Sequence, residues 1–166
     1  IRRVPLLYNI WDSRAEGFAT AFEETMLQAG MMDNVPRARE LVYVLLAFRA
    51  ARAMGDLRMH SREWNLRDAI EYSAAWTPRG WLKADGETIL GDLSLYLRQP
   101  GYGTSYVVGK IQFERLIADR AMQLGDRFNL KEFFDDYFAR GIIPASLIRW
   151  EMTGHEDEMR KLASGS

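Results

Sequence analysis

Apolar residues recur at three- and four-residue intervals along most of the chain, which is the pattern of amphipathic α-helices. Ser13 and Glu16 form a capping-box pattern, and Gly30 can end a helix in the left-handed conformation. Together these signals predict a first helix over about residues 14–29.

Six further helices are predicted from caps, glycines and prolines. Their approximate ranges are 36–59, 65–76, 86–98, 104–125, 129–141 and a short stretch after Pro144. The apolar stripe of the second helix follows Leu41, Val44, Leu45, Phe48 and Arg52. The helix over 104–125 is expected in the core through the face that carries Val108, Ile111, Gln112, Leu116, Ala118 and Met122.

No segment alternates apolar and polar residues between hairpin turns, so no sheet is expected. The predicted fold class is therefore all-α, a single domain of about six to seven helices. We expect an extended N-terminal segment over residues 1–12, a helical domain over 13–152, and a charged, frayed tail over 153–166.

Composition removes several classes of function. The formal charge of −1 gives no cationic field for nucleic acid, so no nucleic-acid partner is expected. The longest apolar run, residues 41–48, is too short for a membrane-spanning segment. With no cysteine and two histidines, the chain alone is not expected to bind zinc at a complete site. The absence of cysteine fits both the bacterial cytoplasm and the periplasm, so the compartment stays open.

Two carboxylates stand out in the first predicted helix. Glu16 and Glu23 are two helical turns apart, which places both on one face, where they could serve a metal ion or a substrate amine. The alternative interpretation is that Glu16 is only the capping-box acid and Glu23 a solvated surface residue.

A second polar group lies on the second predicted helix. Arg52, Asp56 and His60 follow one another by one turn, so they could form a hydrogen-bonded ladder that orients the imidazole. The alternative is a row of surface ion pairs. Tyr106 follows the Pro100-Gly101 turn and could place a phenol beside a reacting carbonyl, although such a tyrosine also fits a packed core.

Four segments resemble, in the same order, the bacterial domain-of-unknown-function family 885, whose members resemble zinc-dependent helical peptidases. They are EGFATAFEE at 16–24, RAARAMGDLRMH at 49–60, PGYGTSYVVG at 100–109 and GDRFNLKEFFDDYFARGIIP at 125–144. The resemblance implies the C-terminal part of a helical zincin-like fold, preceded by a histidine-glutamate motif that holds zinc and supplies a general base.

The resemblance also implies roles for single residues. Glu16 would be the third, carboxylate zinc ligand, with Glu23 as the runner-up or as its support. His60 and Tyr106 would stabilise the oxyanion that forms on the substrate carbonyl.

Further residues take supporting roles in the same scheme. Arg52 and Asp56 would hold His60 in place. Arg58 could bind a substrate carboxylate, although a solvated arginine also fits that position. Three residues depart from the family pattern, namely Ala21 for tyrosine, Arg58 for glycine and Phe134 for histidine. These departures are compatible with a divergent subfamily, a changed specificity or a loss of activity.

The sequence thus leads to the hypothesis of a zinc metallopeptidase that hydrolyses peptide bonds. Its expected partners are the missing N-terminal part of the same protein and a peptide substrate, and the isolated chain is expected to be inactive. An apolar face left uncovered could also support self-association. The alternative is a non-catalytic helical binding module or a degenerate peptidase remnant, with a groove between the first, second and fifth helices.

Overall fold

The computed structural model describes residues 8–164 and, within them, the side chains of all but 8–11 and 162. The described part contains eight α-helices and no strand, which confirms the all-α fold class. The helices are α1 Tyr8–Gln28, α2 Ala38–His60, α3 Leu66–Trp76, α4 Glu87–Arg98, α5 Tyr102–Leu124, α6 Leu130–Ala139, α7 Ala145–Thr153 and α8 Asp157–Ser164. Short 3-10 turns lie at Pro78–Gly80 and Gly125–Arg127.

Most helix boundaries agree with the predicted ranges because the caps are local. At the start of α3, the Asn65 side chain accepts the N–H groups of Arg67 and Asp68 at 2.8 and 3.1 Å. The Asp68 carboxylate accepts the Asn65 N–H at 3.0 Å and completes a capping box.

The predicted start of the first helix is wrong. α1 begins at Tyr8, so the Ser13 and Glu16 pattern lies inside the helix, and residues 8–12 are helical rather than extended. The carboxylate of Glu16 is engaged by α5 instead of a backbone N–H of its own turn. The remainder of the predicted extended segment, residues 1–7, lies outside the described residues.

The predicted tail contains a further helix, α8, which ion pairs hold against the domain. Asp157 binds Arg149 at 2.5 Å and Arg115 at 2.6 Å, and Glu158 binds Arg115 at 2.9 Å. Ion pairs therefore hold this charged segment against the domain, whereas the sequence predicted a frayed tail.

α1 and α5 form the centre of the fold and touch through their backbones. A Cβ atom on Gly17 would lie 2.2 Å from the Cα atom of Gly109, and one on Gly109 would lie 2.0 Å from the Ser13 carbonyl oxygen. No side chain fits between the two helices at this crossing, so both glycines are required by the close approach.

Most of the buried apolar residues fall into two clusters. The first lies among α1, α5, α6 and α7 and contains Ala21, Phe113, Leu116, Phe133, Tyr137, Ile148 and Met152. The second lies mainly among α2, α3 and α4 and contains Met59, Ala69, Leu82, Ile89, Leu93 and Tyr96. Tyr102 and Tyr106 of α5 pack against the second cluster, so α5 contributes to both.

The predicted core face of α5 is only partly right. Leu116 is buried as predicted, but Val108, Ile111 and Met122 are 48%, 59% and 75% exposed, and the buried Gly109 and Phe113 were not part of the prediction. α5 carries apolar residues on more than one side, and its small residues mark the side that approaches α1. In the apolar stripe of α2, Leu41 is likewise exposed.

Within residues 8–164, no helix is long and apolar enough to span a membrane, which agrees with the expectation from the sequence.

Candidate functional site

The carboxylate of Glu16 is held by a phenol from the neighbouring helix. The Tyr102 hydroxyl donates to Glu16 Oε1 at 2.6 Å and joins α1 to α5. This hydrogen bond fixes the orientation of a half-buried acid that the capping interpretation would have left at a helix start. Tyr102 was not among the predicted site residues, although it precedes Tyr106 by one turn and therefore shares its face.

Tyr106 lies beside this pair. Its ring meets that of Tyr102 edge-on, with 5.8 Å between the centroids, and the guanidinium carbons of Arg49 and Arg52 lie 5.8 and 6.0 Å from its centroid. Burial raises the pKa of Tyr106, and burial followed by the hydrogen bond to Glu16 raises the pKa of Tyr102. Both phenols are therefore protonated at neutral pH and can act as hydrogen-bond donors.

The carboxylate of Glu23 is bound by an arginine of α2. Arg49 binds both of its carboxylate oxygens, at 2.6 and 2.8 Å, and this hydrogen bonding raises the pKa of Arg49. A bidentate pair of this kind fixes the spacing of α1 and α2 beside Tyr106. The Glu23 carboxylate is therefore not free to bind a metal, and it is partly shielded from solvent by Arg49.

Of the predicted ladder of Arg52, Asp56 and His60, only the contact between Asp56 and His60 is present. Arg52 pairs with Asp92 of α4, and its guanidinium carbon lies 3.7 Å from the Phe48 ring centroid. Asp56 is 1% exposed and accepts the N–H groups of Gly101 at 3.2 Å and Thr104 at 2.9 Å. Asp56 therefore caps α5, the helix that carries both tyrosines.

His60 lies at the far end of this row. Its Nε2 atom is 3.0 Å from the Tyr96 carbonyl oxygen and 3.5 Å from Asp56 Oδ1. A carbonyl oxygen only accepts, so Nε2 carries the hydrogen in this contact. In the described part of the chain, the hydrogen bonds and ion pairs of His60 involve neither Glu16 nor Tyr106. Arg58, in the last turn of α2, pairs with Glu63.

Asp12 adds a second acid beside Glu16, one helical turn earlier on α1. Its Oδ2 atom is buried and has no hydrogen-bond partner. Burial, followed by the charge of Glu16, raises the pKa of Asp12. A cation bound between the two carboxylates would satisfy the orphaned oxygen and relieve their repulsion, so this donor set fits a metal ion.

These two acids could provide only part of a zinc site. Zinc in proteins takes about four ligands. In the span 8–164, no group of three or more histidine, aspartate and glutamate side chains could hold a metal ion. The remaining ligands of a site at Glu16 would come from outside the described residues.

Two of the departures from the family pattern serve packing. Ala21 is completely buried in the first cluster. The Phe134 ring stacks on Phe113 with 6.1 Å between centroids and meets Phe22 edge-on at 5.6 Å. Both positions face an aromatic core, which accounts for an apolar side chain at position 134.

Comparison with known proteins confirms the family resemblance seen in the sequence. A family described as "Bacterial protein of unknown function (DUF885)" matches residues 2–152. The crystal structure of "the putative lipoprotein from Colwellia psychrerythraea" superposes with a TM-score of 0.72 and 26% sequence identity. The superposition covers 86% of this chain and 23% of that protein, so the chain spans less than a quarter of its relative. No curated protein matches the chain significantly.

Proposed function

Because the chain belongs to the bacterial protein family of unknown function DUF885, we propose that it is the C-terminal portion of a zinc-dependent metallopeptidase. The observation that carries the proposal is the Glu16 carboxylate, held at 2.6 Å by Tyr102 with the Tyr106 phenol beside it. An oriented acid next to a protonated phenol provides a metal ligand and an oxyanion donor in one place.

Glu16 would hold the zinc ion from this chain, with Asp12 as an additional carboxylate donor. The histidine ligands and the general base would come from the missing N-terminal part of the protein. Bound zinc would lower the pKa of its water and polarise the peptide carbonyl.

The residues of this chain would act on the substrate carbonyl. As water adds to the peptide carbonyl, the Tyr106 hydroxyl donates a hydrogen bond to the developing oxyanion. Its raised pKa keeps that proton in place at neutral pH. We assign the donor role to Tyr106 rather than His60, because the Nε2–H of His60 already faces the Tyr96 carbonyl. Asp56 and Arg49 hold α5 and α1 in register around the phenol.

The peptide itself would lie on the open side of this cluster. Arg58 is partly exposed and stays a candidate for a substrate carboxylate, with Glu63 as its present partner. The likeness to a lipoprotein favours the bacterial cell envelope as the compartment in this proposal.

A non-catalytic binding module is the second candidate, and an apolar groove favours it. Two cavities of about 290 and 480 Å³ adjoin at Trp81, whose side chain is 56% exposed. Their walls are mostly apolar and come from α2, from the segment before it, from the loop before α4 and from the first turn of α4. A surface of this kind suits a protein partner, and the missing N-terminal part is the partner that we propose.

The test of zinc binding measures the zinc content of the full-length protein by elemental analysis. The proposal expects about one zinc per molecule and a loss of that zinc in Glu16→Gln. Glu23→Gln is the matched control, because its carboxylate is occupied by Arg49 and its loss should leave zinc in place. A full-length protein without zinc, or a Glu16→Gln variant with full zinc content, would favour the binding module.

The test of the donor role compares the turnover of peptide substrates by two tyrosine variants. Tyr106→Phe should lower kcat by roughly 10²- to 10³-fold with unchanged zinc content, which is the typical cost of removing one oxyanion donor. Tyr43→Phe is the control, because its hydroxyl binds Glu24 away from this cluster. Equal turnover of wild type and Tyr106→Phe would remove Tyr106 from the mechanism.

A further inference from the structure

Arg14 is a buried cation in an aromatic setting. It lies on α1 and is 7% exposed. Its guanidinium carbon is 3.9 Å from the centroid of the Tyr137 ring, 5.5 Å from that of Phe18 and 5.8 Å from that of Phe138. The guanidinium therefore rests on rings of α1 and α6, which attract it through cation–π interactions.

The other buried arginines differ from Arg14 in having carboxylate partners. Arg149 is 5% exposed and binds Asp119 and Asp157, and Arg52 is 6% exposed and pairs with Asp92. Arg14 has no ion pair or hydrogen bond in the described part of the chain, and its Nε atom is buried without a partner.

The parts of the chain that the structure does not describe contain no acidic side chain that could pair with Arg14. Residues 1–11, 162 and 165–166 contain no aspartate and no glutamate. An acidic side chain that met Arg14 would therefore have to come from among the described residues, and none of these does so.

A buried charge without a counter-ion is unfavourable, and the aromatic rings compensate for it only in part. Burial lowers the pKa of Arg14, as expected of a cation that no carboxylate stabilises. Arginine nevertheless stays protonated, so the positive charge persists and its terminal nitrogens can still donate.

We propose that Arg14 is a binding site for a carboxylate group that comes from outside this chain. Tyr137 covers one face of the guanidinium and Nε is buried, so the contact that we propose is end-on and bidentate, through Nη1 and Nη2. A single carboxylate neutralises the single charge, whereas a phosphate dianion would leave a negative charge in apolar surroundings.

The site goes beyond the proposed zinc chemistry and is independent of it. Arg14 and Glu16 lie about 200° apart around α1, so they face different neighbours. Glu16 faces the Tyr102 side of α5, and Arg14 faces α6. The carboxylate has two possible sources, an acidic side chain in the rest of a longer protein, or a free carboxylate such as the C-terminus of a peptide.

The experiment observes arginine side-chain resonances by NMR in ¹⁵N-arginine-labelled protein, during a titration with sodium acetate at constant ionic strength. Both the 166-residue chain and the full-length protein are measured. Arg14→Lys assigns the Arg14 signal. Arg149, whose Nε donates to Asp119 at 2.7 Å, is the reference for a carboxylate-bound guanidinium and the control for an intact fold.

We expect a saturable shift of the Arg14 signal in the chain with acetate and no shift with sodium chloride, while Arg149 stays unchanged. A carboxylate-bound Arg14 signal in the full-length protein before any acetate is added identifies an internal side chain as the source. An acetate-responsive signal in the full-length protein identifies an external carboxylate. An Arg14 signal that is neither carboxylate-bound nor acetate-responsive in the full-length protein overturns the proposal. The zinc content of full-length Arg14→Lys should equal that of wild type, so failure of this site and failure of the zinc site are separately visible.

Discussion

Gly17→Ala tests whether the backbone contact between α1 and α5 sets the geometry of the fold. The added Cβ atom would lie 2.2 and 2.5 Å from the Cα and carbonyl carbon of Gly109 and 2.9 Å from the Lys110 nitrogen. Carbon atoms in favourable contact lie roughly 3.5–4.0 Å apart. All three obstacles are backbone atoms, so no rotamer change relieves them and the helices must separate by about 1 Å or more.

The expected cost follows from two opposing effects. Overpacking a core costs about 1–3 kcal/mol, and a contact with rigid backbone belongs at or above the top of that range. Alanine is favoured over glycine inside a helix by about 1 kcal/mol, which offsets part of the cost. We expect a net loss of about 2–3 kcal/mol in the free energy of unfolding, or a decrease in Tm of roughly 4–12 °C for a domain of this size.

The assay is urea denaturation followed by circular dichroism, with Gly91→Ala as the matched control. Gly91 also lies inside a helix, α4, but a Cβ atom there would meet nothing within 4 Å. Its substitution should stabilise the protein by about 0.5–1 kcal/mol. A Gly17→Ala protein as stable as wild type would refute the reasoning, because the helices could then separate without loss.

Two further predictions concern charged groups. Asp56→Ala removes the acceptor of the Gly101 and Thr104 N–H groups, and it should lower the free energy of unfolding by about 3 kcal/mol in denaturant titration. Asp85→Ala, at an exposed position, is the control and should change the free energy of unfolding by less than about 0.5 kcal/mol. An equal effect of the two substitutions would contradict the capping role of Asp56. The pKa of Asp157 is lowered to about 2 by its hydrogen bond to Arg149. Since this folded pKa lies below the unfolded value, the docking of α8 is fully present above about pH 4 and is lost as the pH falls through about 2. Hydrogen exchange of the α8 amides should accelerate as the pH falls over that interval. In Asp157→Asn the same amides should exchange rapidly at every pH. A wild-type exchange rate that follows only the intrinsic pH dependence would contradict the docking of α8 by this ion pair.

Local signals predicted the helices well because their physical causes lie within a few residues. Asn65 caps α3 as expected, since its partners are the next two or three N–H groups of the chain. The same kind of pattern failed at Ser13 and Glu16, where the acid is bound by Tyr102 from α5. A capping pattern states only which local bonds are available, and a distant phenol can compete for the same carboxylate.

The sequence predicted several residues of the candidate site, but it did not predict which residues contact one another. Spacing along α2 placed Arg52, Asp56 and His60 on one face, but their partners are Asp92, the start of α5 and the Tyr96 backbone. These partners come from α4 and from the start of α5, both distant from α2 in the sequence. Pairing between segments depends on how the helices pack, and the apolar periodicity of α5 did not reveal which of its faces packs.

The position of α5 between the two clusters bears on how the protein unfolds. Phe113 and Leu116 of this helix belong to the first cluster, while Tyr102 and Tyr106 support the second. If either cluster opens, one half of α5 loses its packing contacts. The two halves of the domain should therefore unfold as one cooperative unit. The Glu16 and Tyr102 pair lies at their junction and consequently exists only in molecules in which both halves are intact.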